Sequence, residues 1–374
     1  MIKRYGLVLA SAIAIAGSGA VAQDFFDPDE FALQRDLMSV EPSGPAGEPW
    51  LQHVGGDMVD TAQYASEGPY TVCFSNAGVN NPWRVVGWET MQAEVELHPE
   101  IAEFVVRDAE GSDNKQIADI DELLAGGNCD ALIVSPNTTA ALTPAVERAC
   151  EQLPVIVFDR GVLTDCPVTF IKPIGGYAFG IAAAEFVADN LPDGGNVLAL
   201  RILPGVDVLE TRWRAAEQTF QDRGINIIAD EFTNGDRAQT KTIVEDYMLT
   251  NQIDAVWMDA GATSVAAIEA FEDAGMDVPI ITGEDQQDFL LRWQQDGLTA
   301  VAPTYPTYQW RTPILASLMI LQGEPVPGPV WNLPQPIITS DNLDQYVNPA
   351  MPPLHYALCG CEDMPGYPER WGGD

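Results

Sequence analysis

Positive charge is what this chain has least of. Lys and Arg together number 18 among 374 residues, against 55 Asp and Glu, for a formal net charge of −37. So acidic a chain repels phosphate backbones, which argues against a nucleic-acid partner. The acidity reads as a solvated surface suited to saline surroundings rather than as an acidic binding site. Histidine is scarcer still, with only His53, His98 and His355. None of the three falls in a loop that follows a predicted strand. The sequence also lacks a nucleophile elbow, a metal-binding helix motif and a phosphate loop, the signatures of several large enzyme classes. No long apolar run occurs after residue 16, so no later segment suits a bilayer.

The start of the chain reads as an export signal. Lys3 and Arg4 precede an apolar run at 7–16, and Ala20-Val21-Ala22 forms a cleavage site before Gln23. The run is too short to span a bilayer. No Cys stands at the cleavage point, so a lipid anchor is not expected there. The expected product is a soluble, exported chain.

Six cysteines in an exported chain make disulfides plausible. Six allow 15 full pairings, so connectivity stays open. Cys150 ends a predicted helix and Cys166 precedes a predicted strand, both at the amino-terminal edge of one sheet, and that pair is favoured. Cys73, inside a predicted strand, reads as a buried free thiol. Cys359 and Cys361 share a Cys-Gly-Cys motif. Metal binding there would need two more ligands, and only His355 is near in sequence.

The remaining composition, 46% hydrophobic and 9% aromatic, supports sizeable cores. The length suggests about two domains. The organising stretch is 71–90, TVCFSNAGVNNPWRVVGWET. Residues 70–74 suit a buried strand, and 75–81 form a polar turn. Pro82 suits a first helical turn. Trp83, Val85, Val86, Trp88 and Met91 then fit one apolar helix face. Asn81, Trp83 and Arg84 meet at the carboxyl end of a strand, where open parallel sheets bind ligands. The plainer reading stays open: Asn-Asn-Pro is also an ordinary helix start, and Trp at helical spacing also packs a core.

Residues 24–68 are rich in Pro, Gly and acids and read as an extension with little regular core. Strands and helices then alternate: strands at 101–107, 131–134, 154–158 and 168–171, with helices at 113–125 and 140–152. The pattern begins again. Helices at 176–190, 208–223, 239–249, 263–274, 286–295 and 310–321 alternate with strands at 196–200, 225–229, 255–258, 279–282 and 299–302. A Pro-rich stretch at 323–336 precedes a last extended piece at 337–340. Little regular structure is expected after 347. This is an α/β pattern of parallel sheets with helices on both faces, and its two runs imply two similar lobes.

Past the predicted strand ends stand Asn80 and Asn81, 135–137, Asp159 and Arg160, then Asp259, Glu284 and Asp285, and Thr304 and Tyr305. Four of the few arginines, Arg84, Arg160, Arg212 and Arg214, fall where a cleft is expected. Carboxylates, amides, guanidiniums and an aromatic face suit sugar hydroxyls. Alternatives remain. Asp159 with Arg160 also suits a structural ion pair, Arg212 and Arg214 a solvated helix face, and Trp213 and Trp257 the core.

At these residues the sequence resembles the type I periplasmic solute-binding proteins, specifically the ribose-binding-protein-like branch that serves carbohydrate ABC transporters. The matching stretches are NNPW at 80–83, DNKQIADIDELL from Asp113, DALIVSPNTTAAL from Asp130 and PVIVFDR at 154–160, then ETRWRAAEQTF from Glu210, GEDQQDFLLRWQQDG from Gly283 and PIITSDNLDQYV at 336–347. They run in order across 68–347.

The resemblance implies two Rossmann-like lobes joined by a multi-strand hinge. Residues 1–22 would be the signal peptide and 23–68 an extension. Lobe one would take 69–173 with 305–335, lobe two 174–304 with 336–347, and 348–374 would be a tail. It implies ligand contacts at Asn81, Trp83, Arg84, Asp159, Arg160, Arg212 and Asp285, to which the strand-end reading adds Asp259 and Tyr305. Arg84 stands where the family has a second aromatic, Asp259 and Ala260 where it has an Asn, and Thr304 with Tyr305 where it has a Gln. A ligand other than ribose is therefore expected. Arg84 suits an acid sugar, whereas Asp159, Asp259 and Asp285 oppose a strong preference for anions.

Three functions compete. The first is a monomeric periplasmic protein that binds a monosaccharide or polyol for a membrane ABC permease, with no cofactor, no metal and no catalysis; a nucleoside or a signalling molecule is an alternative ligand. The second is an exported carbohydrate-active enzyme with paired carboxylates. The third is a ligand-responsive transcription regulator, which the export signal and the lack of a basic helix-turn-helix disfavour.

Overall fold

Alternating apolar strands and half-apolar helices build two six-stranded sheets. The structure is a computed structural model, and it describes residues 26–374. The expected export signal at 1–22 lies outside the described residues. Among the described residues no helix is long and apolar enough to cross a membrane.

The described residues open with helix α1 (Pro28–Leu37) and strand β1 (Asp57–Val59). Residues 26–68 are thus more ordered than their composition suggests. Asp27 caps α1 by accepting from the amides of Asp29 and Glu30. Such a cap contributes about 1 kcal/mol, and Phe31 and Leu37 then bury against the apolar helix of residues 176–190.

Next come β2 (Tyr70–Asn76), α2 (Pro82–Glu96), β3 (Ile101–Asp108), α3 (Asp113–Gly126), β4 (Ala131–Ser135), α4 (Thr139–Cys150), β5 (Val155–Phe158) and β6 (Thr169–Pro173). The second run holds α5 (Gly176–Asn190), β7 (Asn196–Arg201), α6 (Asp207–Asp222), β8 (Asn226–Phe232), α7 (Arg237–Met248), β9 (Ala255–Met258), α8 (Gly261–Asp273), β10 (Ile280–Thr282), α9 (Gln287–Asp296) and β11 (Ala300–Pro303). The chain then returns through a 3-10 turn (Thr307–Trp310), α10 (Thr312–Leu321), β12 (Val326–Gly328), β13 (Val330–Leu333) and β14 (Ile337–Ile338).

The first sheet has the order β13-β6-β5-β4-β2-β3, and the second β14-β11-β10-β9-β7-β8. Every pairing is parallel except β11 with β14. β2 lies between β3 and β4, and β7 between β8 and β9. Each sheet therefore reverses its winding once, and ligands bind in the crevice at that switch point. The chain passes between the sheets at 173–176, 303–307 and 333–337, which gives a hinge of three strands.

One sequence expectation, the free thiol at Cys73, needs correction. The Pro-rich stretch at 323–336 supplies two strands. Its β13 extends the first sheet by pairing with β6, and β12 pairs antiparallel with β1. Pro is tolerated because these are edge strands. Cys73 is not a free thiol but is joined to Cys129 with Cα atoms 5.7 Å apart, since Cys129 sits just before β4, the strand beside β2. Cys150 and Cys166 are also joined, 6.0 Å between Cα atoms.

Helices α5 and α6 approach closely because residue 180 is glycine. A Cβ there would lie 2.0 Å from the carbonyl oxygen of Arg212 and 2.9 Å from the Ala215 Cβ. Gly180→Ala should lower stability by about 1–3 kcal/mol by forcing the helices apart. Urea unfolding measures this, and an unchanged midpoint would contradict the packing described.

Candidate functional site

The switch point of the first sheet is held by one guanidinium. Asn81 caps α2, its Oδ1 accepting from the Arg84 amide at 2.9 Å, with Pro82 at the first helical position. The cap sends the Arg84 side chain back over the strand ends. There Nη1 donates to Asn76 Oδ1 (3.3 Å), the Gly78 carbonyl (3.4 Å) and Ser135 Oγ (3.3 Å), while Nη2 meets Asp159 Oδ2 at 2.6 Å. One side chain thus ties the carboxyl ends of β2, β4 and β5. Both partners of the pair are buried. Burial lowers the Arg84 pKa from its ordinary value, and the charge of Asp159 opposes that shift. Asp159 itself has φ +67°, a left-handed conformation costly for a residue with a Cβ.

Arg160 points along the same edge. Its Nη1 donates to the Asn137 carbonyl, and its Nε is buried without a hydrogen bond, 4.0 Å from Asp159 Oδ2. Trp83 donates from Nε1 to the Tyr305 carbonyl at 2.8 Å, and the two rings lie 5.7 Å apart. Tyr305 belongs to the chain segment between the sheets. Its hydroxyl donates to the Asp159 carbonyl at 3.3 Å, and burial raises its pKa well above the usual phenol value.

The second sheet answers with Arg212 on α6. Its Nη1 donates to the Asp259 carbonyl (2.8 Å) and its Nη2 to Glu284 Oε1 (3.0 Å). The guanidinium lies 4.0 Å from the Phe179 ring centroid and 5.2 Å from that of Tyr305. Glu284 also accepts from the Tyr356 hydroxyl at 3.1 Å. Burial raises the Glu284 pKa, and Arg212 opposes the rise.

A cavity of about 520 Å³ opens between these two groups, within the roughly 300–1,000 Å³ usual for small-molecule sites. Asn81, Trp83, Arg84, Asp159, Arg160, Arg212 and Tyr305 all line it. Neither Asp259 nor Asp285 does. The Asp259 carboxylate is buried with both oxygens unpartnered, and burial pushes its pKa up to about 7. Asp285 turns away, its Oδ2 accepting from the Leu358 amide at 2.9 Å; burial likewise raises it to about 7. Neighbouring side chains on an extended turn point to opposite sides, so the cavity receives Glu284 instead. Arg214 lies outside, paired with Glu217 on the helix face, and Trp213 and Trp257 pack in the core.

The residues after 347 lack long elements but are not loose. Leu354 and Tyr356 form part of the cavity wall. The His355 carbonyl accepts from the Gln287 amide at 2.9 Å on the second sheet's side. Trp371 donates to Thr90 Oγ1 at 3.1 Å, and Arg370 pairs with Glu96 at 2.8 Å, both on α2 of the first. Cys359 and Cys361 are bonded to each other. Their sulfurs lie near His355 but offer no thiolate, so the metal reading of the motif is set aside. Nothing local in the sequence announces this wall, because its contacts are all long-range.

Residues 72–325 match a protein-family model described as periplasmic binding protein domain. The chain is 25% identical over 259 residues to the ribose import binding protein of Bacillus subtilis, covering 69% of this chain and 83% of that protein. It is 26% identical over 194 residues to the D-xylose-binding periplasmic protein of Escherichia coli, covering 49% and 58%. Among solved structures, an ABC transporter solute-binding protein from Bacillus halodurans with bound myo-inositol shares the fold at a TM-score of 0.67 and 22% identity, over 75% of this chain and 98% of that one. The arabinose-binding component from Shewanella sp. ANA-3 does so at 0.64 and 19%, over 74% and 93%.

Two outcomes test the geometry. Arg84→Ala strands Asp159 in the interior and should cost about 3–5 kcal/mol in urea unfolding; a loss below about 1 kcal/mol, typical of surface pairs, would refute the buried link. Asp259 keeps its proton to about pH 7 when folded but loses it near 3.8 when unfolded. The folded state then binds more protons between those values, so stability falls as pH rises from about 4 to 7. Asp259→Asn should remove that part of the fall. Melting curves from pH 4.5 to 8 should show the variant gaining on the parent as pH rises, and parallel profiles would count against the burial of this carboxyl.

Proposed function

We propose, because the chain belongs to the periplasmic binding protein domain family, that it is the substrate-binding component of a carbohydrate ABC importer. In this reading it is exported to the periplasm, acts as a monomer, and closes on a monosaccharide or related polyol in the cavity between the sheets. It then delivers the ligand to a membrane permease. The observation that carries the reading is the pairing at one cavity of aromatic faces with charged hydrogen-bonding groups. Trp83 and Tyr305 offer apolar surface to a sugar ring, while Asp159 and Glu284 accept from hydroxyls and Arg160 and Arg212 donate to them. The sugars for which the relatives are named, ribose and D-xylose, support the same class.

The mechanism follows from the hinge. Each half of the site is held within its own lobe, Arg84 with Asp159 in the first and Arg212 with Glu284 in the second. Ligand that touches both halves favours the closed arrangement by its greater affinity for it. The two acids are bonded to guanidiniums, which presents them as fixed acceptors rather than as a free acid and base.

A thermal-shift screen against pentoses, hexoses, polyols and sugar acids tests this. A ligand at 100 times its dissociation constant should add about 2.7 kcal/mol to stability. The expected result is a hit within one sugar class, with no chemical change in the compound and loss of the shift in Asp159→Ala. Silence across the whole panel, or turnover of a glycoside, would overturn the proposal.

A further inference from the structure

A hydrogen bond joins the two lobes away from the hinge. The hydroxyl of Thr139, the first residue of α4, donates at 2.8 Å to Oδ2 of Asp207, the first residue of α6. Helix α4 follows β4 of the first sheet, and α6 follows β7 of the second. Among the described residues, the other hydrogen bonds that link the lobes run through the crossing segments, or through residues before 69 and after 347.

Its place gives the bond leverage. The chain crosses at the edge formed by β13 and β6 in one sheet and by β14 and β11 in the other, whereas β4 lies two strands in from β6, and β7 three in from β11. At about 4.8 Å per strand, the bond stands roughly 10–14 Å from the hinge. At that radius a rotation of about 10° moves the two groups roughly 2 Å apart, beyond hydrogen-bond reach. The bond therefore exists only with the lobes shut.

The local chemistry suits a latch. Thr138 and Val206, the residues that precede α4 and α6, make no side-chain capping bond. The Asp207 carboxylate stands at both uncapped helix starts when the lobes are shut, and at its own alone when they part. Each start is the positive end of a helix dipole and favours a negative charge. Val206 and Val208 line the cavity, while Asp207 between them does not, nor does Thr139. The latch borders the site without touching what the site holds.

Resting on the hinge closure read above, we infer that Thr139 and Asp207 are positioning residues that hold the closed lobes together and set how slowly ligand leaves. Recognition belongs to the cavity, and retention to this bond. A ligand in the shut cavity must wait for opening. Loss of the bond then acts on dissociation and spares association, which takes place with the lobes apart.

Stopped-flow fluorescence on the exported chain tests this, with Trp83 of the cavity wall as reporter and ribose, D-xylose, L-arabinose and myo-inositol as probes. Asp207→Ala should raise the dissociation rate about fivefold or more, the scale of a hydrogen bond to a charged group discounted for partial exposure. Association should change less than about twofold. Thr139→Val should act alike, and the double variant should do no more than either alone. Thr139→Ser keeps the hydroxyl and should keep the parent rate, a rescue that a general folding defect would not show. Small-angle scattering without sugar gives a second measure, in which Asp207→Ala should have a larger radius of gyration than the parent. An unchanged dissociation rate, effects that add in the double variant, or a loss of affinity carried by association overturns the inference and leaves the import reading standing. If none of the four probes binds, scattering alone decides the latch, equal radii overturning it, and the sugar screen decides the import reading separately.

Discussion

The site depends on a buried ion pair that organises backbone. Arg84 and Asp159 meet at 2.6 Å in the interior, where desolvating both charges costs several kcal/mol and a bare pair seldom repays it. This pair is supported by three further acceptors, on Asn76, Gly78 and Ser135. Those groups end β2 and β4, the strands on either side of the switch point, and Asp159 follows β5. The guanidinium therefore sets the spacing of three strand ends at once. It also accounts for the left-handed backbone at Asp159, because the conformation that suits a turn is held by a bond the side chain cannot make elsewhere.

The second lobe repeats the device with different parts. Arg212, like Arg84, comes from the start of a helix, and Glu284 from the turn after β10. The two halves meet through Tyr305, on a segment between the sheets, which touches Asp159 through its hydroxyl, Trp83 through its carbonyl and Arg212 through its ring. Any change in the angle between lobes must alter the surroundings of this residue. Its burial, with an aromatic face on either side, makes the hinge and the binding site one physical object.

The two extensions act on the same object from outside the matched family span. The first packs α1 on α5 of the second lobe and then lays Trp50 against Arg311, 3.5 Å from its ring centroid, in the first. The last residues bond to α9 and α2 in turn, and place Leu354 and Tyr356 on the cavity. Both segments cross from lobe to lobe, so opening must bend or release them. Tyr356 also fixes Glu284, which makes the distal part of the chain a contributor to the site's chemistry.

Local pattern carried much of this. The strand and helix order, the two lobes, and the candidates at 81–84, 159–160 and 305 follow from short apolar runs, from Pro82 at a helix start, and from the rule that polar residues past parallel strand ends face a crevice; Arg212, on a helix, was singled out as a ligand contact by the family resemblance. Those signals lie within a few residues of one another, so a linear reading can find them. The choice between Glu284 and Asp285 could not be made this way. A turn of one residue more or less exchanges which carboxylate faces the ligand, and the Leu358 amide, far along the chain, settles it. The same holds for Cys73 and Cys129, for β13 at the sheet edge, and for Tyr356 on the cavity. The sequence by itself determined which residues can form strands, helices and hydrogen bonds, because propensity and periodicity are local. Only the tertiary structure decided which charges are paired and which carboxylate lines the cavity, because that depends on partners brought together across the whole chain.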